Sequence, residues 1–137
     1  MMLAQGVIRP YYAQIELSDP TTPGYPDWGS GEEAVVATPT CIVVATRPDH
    51  LGDVEVEAWL GGFNEPSVGT PAWEGEFSLA GERAVIGSTV GNQFIDVPLG
   101  VGEYQVSVYT LPHGGMAERI VFALSKRGLQ RANWEPR

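Results

Sequence analysis

The sequence predicts an all-β domain, an antiparallel β-sandwich of about eight short strands. Its apolar stretches are short, rich in β-branched and aromatic residues, and bounded by Gly, Pro, Asp or Asn. The 17 glycines and 11 prolines of the 137 residues are scattered between these stretches, which indicates many turns. Strands that recur every 8–12 residues or so with turn signals between them are typical of a sandwich or barrel, not of βαβ units.

Each strand is predicted from its own local pattern. Tyr11–Leu17 alternates, with Ile15 and Leu17 on one side and polar residues on the other. Cys41–Thr46 is a continuous apolar run, which suits a strand buried on both faces. Asp53–Leu60 alternates again, so that its valines face one way and its acidic residues the other. Further strands are predicted at 73–79, 83–88, 92–97, 103–111 and 118–126.

One short helical turn and one long loop complete the predicted domain. The turn is placed at Gly31–Ala37, where Ser30 has the character of an N-cap with Glu33 three residues on, although Val35 and Val36 oppose its extension. Residues 18–33 form the longest irregular segment, and loops of that length in compact domains are often functional. Residues 1–127 are expected to form the sandwich and residues 128–137 a C-terminal tail.

The charge is unevenly distributed. Eight basic against seventeen acidic residues give a net charge of −9. Residues 1–115 hold fifteen acids against three arginines, a net charge of −12, whereas residues 116–137 carry +3. A body this acidic repels nucleic acid and anionic membranes, so we expect a basic protein partner and no direct contact with DNA or membrane. The alternative is that the charge only keeps the protein in solution.

The remaining composition favours a cytoplasmic protein without catalytic machinery. No apolar run approaches the ~20 residues that span a bilayer, and no secretory signal pattern is visible. Cys41 is the single cysteine, and its apolar neighbours indicate a buried, unreactive thiol. Cys41, His50 and His113 are too few for a tetrahedral metal site, and the sequence has no phosphate-binding loop. We therefore predict no catalytic residue, no metal and no cofactor.

Two features indicate a binding surface. Asp53, Glu55 and Glu57 share one face of their strand, because side chains alternate with period two. Glu74 and Glu76 share a face of the next predicted strand. If these strands pair, five carboxylates line one patch, and such like charges cost stability. The alternative is an ordinary solvated outer face.

Aromatic residues accompany these acids. Trp59 lies on the acidic strand face, and Tyr25 and Trp28 lie in the long loop. Such side chains anchor cationic protein surfaces, but they also form sugar platforms, and two carboxylates can hydrolyse a glycoside. The predicted partner-binding residues are Asp53, Glu55, Glu57, Trp59, Glu74, Glu76, Tyr25, Asp27 and Trp28.

One stretch resembles a known family. Phe94-Ile95-Asp96-Val97-Pro98-Leu99-Gly100-Val101-Gly102-Glu103-Tyr104-Gln105-Val106, followed by Tyr109-Thr110-Leu111-Pro112, is similar to a pattern of the competence protein J family. Tyr12-Ala13-Gln14 and Asp27-Trp28 fall in a similar order near the N-terminus. Members of that family inhibit the DNA-entry nuclease of competent bacteria. The matching positions have the character of scaffold residues, so the resemblance assigns no inhibitory residue.

The leading hypothesis is an inhibitor or immunity-type protein that covers the basic cleft of a DNA nuclease. The resemblance implies this role, and the acidic body supports it independently. A sandwich that binds carbohydrate or a small ligand, and a structural component of an assembly, are the alternatives. The sequence does not define the oligomeric state.

Overall fold

The computed structural model describes residues 1–22, 24–88 and 93–127. These residues form ten strands and three short 3-10 turns, Tyr11–Ala13, Asp49–Leu51 and Pro66–Val68. The strands are β1 (Met2–Ile8), β2 (Gln14–Ser18), β3 (Val35–Thr38), β4 (Cys41–Ala45), β5 (Val54–Leu60), β6 (Trp73–Leu79), β7 (Ala84–Gly87), β8 (Phe94–Val97), β9 (Gly102–Leu111) and β10 (Arg119–Lys126).

The strands assemble into two five-stranded sheets that pack face to face. Sheet 1 has the order β1-β5-β10-β9-β6, and sheet 2 has the order β3-β4-β2-β7-β8. Every pairing is antiparallel except that of β10 with β5, where Arg119 lies opposite Glu55 and Leu124 opposite Leu60. The predicted all-β sandwich is therefore confirmed, with ten strands in the described residues where about eight were expected.

Alternating apolar side chains from both sheets fill the space between them. Val54, Val56 and Ala58 of β5 are fully buried in this core, as the period-two pattern predicts. In β4, Ile42 and Val44 point into the core, while Cys41 and Val43 on its other side are also buried. The predicted burial of this strand on both faces is thus confirmed.

The first predicted strand is wrong over its first three residues. Tyr11–Ala13 form a 3-10 turn, and β2 begins only at Gln14. Tyr12 and Ala13 have φ values of 58° and 55°, in the left-handed region that interrupts an extended strand. Ile15 and Leu17 do share the buried face of β2.

The helical turn predicted at Gly31–Ala37 is also wrong, although its capping residues interact. The Glu33 carboxylate accepts hydrogen bonds from the backbone N–H groups of Ser30 and Gly31, both at 3.1 Å. The chain then enters β3, because Val35 and Val36 pair with Val44 and Val43 of β4. The β-branched pair favours the sheet over the helix.

Strand β1 has no clear alternation and was not predicted. It pairs with β5 at the edge of sheet 1, with an irregularity between Met2 and Ala4 that shifts its register. Its Gly6 lies against β8 of sheet 2, where an added Cβ would meet the end of the Ile95 side chain. Gly6 therefore lets the edges of the two sheets approach each other.

Asp19 links the end of β2 to the end of β6. Its side chain is almost fully buried and accepts hydrogen bonds from the backbone N–H groups of Thr21 and Ala80, at 2.9 and 2.8 Å, and from the hydroxyls of Thr21 and Thr22. Burial alone would raise the pKa of Asp19, but these hydrogen bonds outweigh it and lower the pKa to about 2. Asp19 therefore stays ionised and joins the two sheets.

No helix in the described part of the chain is long and apolar enough to cross a membrane. The predicted tail at 128–137 and the first residue of the strand predicted at 92–97 lie outside the described residues. The domain boundary at residue 127 stays a prediction.

Candidate functional site

The outer face of sheet 1 carries most of the predicted site residues. Glu55, Glu57 and Trp59 point outward, because the residues between them point into the core. Glu74 and Glu76 point outward from β6 in the same way. The structure thus places all five side chains on one side of the sandwich.

The five are not adjacent, because β5 and β6 do not pair. Strands β10 and β9 lie between them, so the two groups are about 14 Å apart, three strand spacings. With Glu65 and Glu103, they form a surface that we call the glutamate face: Glu55, Glu57, Glu65, Glu74, Glu76 and Glu103. Arg119 and Arg127 lie on it as well, so these residues together carry a net charge of −4.

Arg119 sits at the start of β10 and joins two of the glutamates. Its Nε atom donates to Glu57 at 2.9 Å, and its two terminal nitrogens donate to the two oxygens of Glu65 at 2.8 and 2.9 Å. Hydrogen bonds from Arg119 are the main cause that lowers the pKa of Glu65. The sequence counted Arg119 in a separate basic segment, but the parallel pairing of β10 with β5 places it among the acids.

The connection between β5 and β6 crosses β10 and β9 on this face. Phe63 in the connection packs between Trp59 and Tyr109, with ring centroids 5.5 and 5.2 Å apart and tilts of 59° and 48°. We call these three side chains the aromatic row. Beneath the connection, Val121 is fully buried although its strand neighbours Ile120 and Phe122 occupy the main core. Residues 61–72 therefore cover the middle of the glutamate face.

The remaining acids of the face are more open. Glu76 forms an ion pair with Arg127, and Glu74 accepts a hydrogen bond from the Ser107 hydroxyl at 3.2 Å. Within the described ranges, Glu55, Glu74 and Glu103 have no ion-pair partner. These carboxylates are available to a cationic partner.

Asp53 lies just before β5, at the end of the glutamate face. It is exposed and lines a polar depression with Arg9, Tyr11 and Gln93. Its backbone carbonyl accepts a hydrogen bond from Arg47. Asp53 therefore borders the face without joining the network of Arg119.

The three loop residues of the predicted site lie on the opposite side of the molecule. The indole N–H of Trp28 donates to the Gln14 side chain at 3.2 Å, and that same amide hydrogen-bonds the Tyr25 hydroxyl. Gln14 points outward from β2, so Tyr25 and Trp28 lie over the outer face of sheet 2, which we call the loop face. Asp27 is exposed there. One flat partner surface cannot contact both faces.

Under the loop face, Cys41 is buried next to Glu16. The thiol donates to the Glu16 carboxylate at 3.4 Å. Desolvation, followed by the negative charge of Glu16, raises the pKa of Cys41 far above its ordinary value. Desolvation also raises the pKa of Glu16. The predicted buried, unreactive character of Cys41 is in accord with this environment.

Four residues that sequence reasoning missed hold the glutamate face together: Phe63, Glu65, Tyr109 and Arg119. Little in the sequence indicates their role. Phe63 and Glu65 stand between two glycines and a proline, in a segment with no regular pattern. No group of three or more His, Cys, Asp or Glu residues could hold a metal within residues 1–22, 24–88 and 93–127. The arrangement is suited to binding a cationic protein surface.

Comparison with solved structures gives a match that covers almost the whole chain. No protein-family model and no curated protein sequence matches the chain. The structure is similar to the crystal structure of ComJ from Bacillus subtilis, an inhibitor of the DNA-degrading activity of NucA. The TM-score is 0.71 at 15% sequence identity, over 93% of this chain and 99% of that chain. The chain has the ComJ fold.

The motif that resembled the competence protein J family builds part of this fold. Phe94–Val97 is β8 of sheet 2, and Gly102–Leu111 is β9 of sheet 1, so the motif spans a crossing between the sheets. Tyr104 is buried at this crossing and donates its hydroxyl to the Gly100 carbonyl at 2.6 Å. Within the motif, Val97, Leu99 and Tyr104 are buried scaffold residues, whereas Glu103 and Tyr109 lie on the glutamate face.

Proposed function

We propose that this protein inhibits a DNA-degrading nuclease by binding to it directly. The observation that carries the proposal is the fold shared with ComJ along nearly the whole of both chains. The same proposal makes it a non-enzymatic protein of the bacterial cytoplasm, with no cofactor of its own.

We further propose that the glutamate face is the surface that contacts the nuclease. A nuclease binds DNA through a basic groove, and an acidic surface competes with phosphates for such a groove. Asp53, Glu55, Glu57, Glu74 and Glu76 then mainly speed association, while Trp59 slows dissociation. Tyr25, Asp27 and Trp28 face the other way and remain candidates for a second, separate contact.

The geometry of the aromatic row does not favour carbohydrate binding. A sugar platform requires an exposed, flat ring face, whereas Trp59, Phe63 and Tyr109 are half-buried and tilted against one another.

The test is inhibition of DNA cleavage by a NucA-type nuclease from the same organism. Exchanging Glu55 and Glu74 for lysine should raise the inhibition constant about 10- to 100-fold, because both carboxylates lack an ion-pair partner in the described residues. These two are preferred to Glu57, whose side chain is only 13% exposed and bound to Arg119. Inhibition by the parent should also weaken as salt rises.

The matched control exchanges Glu32 and Glu82 for lysine. Both are exposed, lie away from the glutamate face, and change the net charge equally. Absence of inhibition by the parent would refute the inhibitor function. Equal losses in both double variants would instead refute the glutamate face as the contact surface.

A further inference from the structure

The connection 61–72 is held in place before any partner binds. Phe63 is fixed between two rings of the sheet, and Glu65 takes both terminal nitrogens of Arg119. The Ser67 hydroxyl also donates to Glu65 at 3.1 Å. The turn Pro66–Val68 then buries Val68. A segment ordered in advance loses little conformational entropy on binding, which favours a long-lived contact.

Arg119 is well placed to impose this order. Its guanidinium uses all three nitrogens, on Glu57 of β5 and on Glu65 of the connection. Glu57 in turn accepts the indole N–H of Trp59 at 3.0 Å. One cation therefore fixes both the connection and a ring of the aromatic row, and this planar fork geometry is specific to arginine.

The surroundings of the aromatic row define the chemistry of its partner. The three rings are half-buried, so each still presents part of its surface. Glu55 on β5 and Glu74 on β6 flank the row and carry no ion pair in the described residues. Aromatic rings next to unpaired carboxylates bind guanidinium or ammonium groups, through cation–π attraction and charge together.

We propose that the aromatic row is the centre of the contact with the nuclease, where it receives a lysine or arginine side chain of the nuclease's DNA-binding groove. Phe63 contacts that side chain, and Arg119 and Glu65 are positioning residues. The proposal rests on the proposed inhibitor function and identifies the part of the glutamate face that determines the lifetime of the complex.

The test measures association and dissociation rates with an immobilised NucA-type nuclease from the same organism. F63A should raise the dissociation rate about 10- to 100-fold and leave the association rate nearly unchanged, because a central aromatic anchor acts after encounter. E65Q should raise the dissociation rate less, about 5-fold, because it weakens the hold of Arg119 on the connection. The matched control is F94A, which removes an exposed ring from β8 of sheet 2 and should leave both rates unchanged.

A second substitution separates ring chemistry from stability. F63L keeps apolar volume beneath the connection but removes the π face, so it should fold like the parent and still dissociate faster. If the parent binds and inhibits while F63A and F63L dissociate at its rate, the aromatic row is not the centre and this inference is overturned. If the parent does not bind the nuclease, the inhibitor function falls together with it.

Discussion

Each sheet carries a long connection on its outer face, but the two connections are held differently. An arginine and two glutamates hold the connection on sheet 1. On sheet 2, neutral polar groups hold the loop residues on the face, and a buried carboxylate anchors only the start of the connection. Residues 61–72 are fixed by Arg119 and two glutamates. On sheet 2, Tyr25 and Trp28 are fixed by hydrogen bonds to the side-chain amide of Gln14. Ion pairs are weakened by salt and affected by a charged partner, whereas hydrogen bonds between neutral groups are not. The difference separates a connection that depends on charge from one that depends on neutral hydrogen bonds.

The anchors at the two connections also differ in sign and burial. Arg119 is a partly exposed cation that binds anions, with 24% of its side chain accessible. Asp19, at the start of the connection on sheet 2, is a buried anion that accepts only neutral donors. The two connections should therefore be weakened by different conditions. Acid weakens the connection on sheet 2 by protonating Asp19, and salt weakens the connection on sheet 1 by screening Arg119.

The largest effect is expected from D19A. The substitution removes the buried carboxylate that accepts the N–H groups of Ala80 and Thr21, so we expect a loss of about 3 kcal/mol in the free energy of unfolding. Denaturant unfolding measures it. The control is D27A, an exposed acid in the same connection, which should cost less than about 0.5 kcal/mol. Similar losses for the two variants would exclude Asp19 as the anchor.

The pH dependence of the free energy of unfolding should reveal the contribution of the Asp19 carboxylate. Its pKa is lowered from 3.8 to about 2 in the folded state, so its contribution is complete above the unfolded pKa and disappears as the pH falls through the folded one. Between pH 5 and pH 2 the parent should lose about 2 kcal/mol through this group. D19N removes the group, and its stability should fall less steeply over the same range. Parallel curves for parent and variant would contradict the assignment.

A smaller effect, dependent on salt, is expected from R119M. The variant loses four charge-assisted contacts, and we expect a cost of about 1–2 kcal/mol at low salt that shrinks in about 1 M salt. The control is R83M, whose ion pair with Asp96 is largely exposed and should contribute almost nothing. A cost for R119M that is independent of salt would mean that packing, not charge, holds the connection.

The smallest effect is expected on the loop face, where the labelling rate of Cys41 measures how often the covering loop opens. W28A should speed labelling of Cys41 by a thiol reagent about tenfold, because local opening of the loop face limits access to the buried thiol. W59A, the matched change on the glutamate face, should leave the labelling rate unchanged. Equal acceleration in both variants would indicate global unfolding as the route of access.

Local pattern was sufficient for much of sheet 1 and for the outward direction of its acids. Glu55, Glu57 and Trp59 were predicted on one face because alternation in β5 is unbroken. The position of Arg119 among them was not predictable, since pairing between β10 and β5 joins segments more than 60 residues apart. The strand order depends on such non-local contacts, and no single stretch of sequence encodes them.

The other two wrong predictions concern the segments just before β2 and β3. The left-handed backbone at Tyr12 and Ala13 interrupts a pattern that reads as an extended strand. Ser30 and Glu33 make capping hydrogen bonds without a helix, because Val35 and Val36 gain more from pairing with β4. In both places tertiary contacts outweigh local preference.

The insertion of β10 between β5 and β9 has a consequence for biosynthesis. While the chain emerges from the ribosome, β5 exists long before Arg119–Lys126 is available to pair with it, whereas β9 precedes β10 by one short connection. Until then both strands expose unpaired edges with buried-type residues such as Val56 and Val108. Sheet 1 can close only after synthesis has passed residue 126, so the slow step of its folding should be the entry of β10.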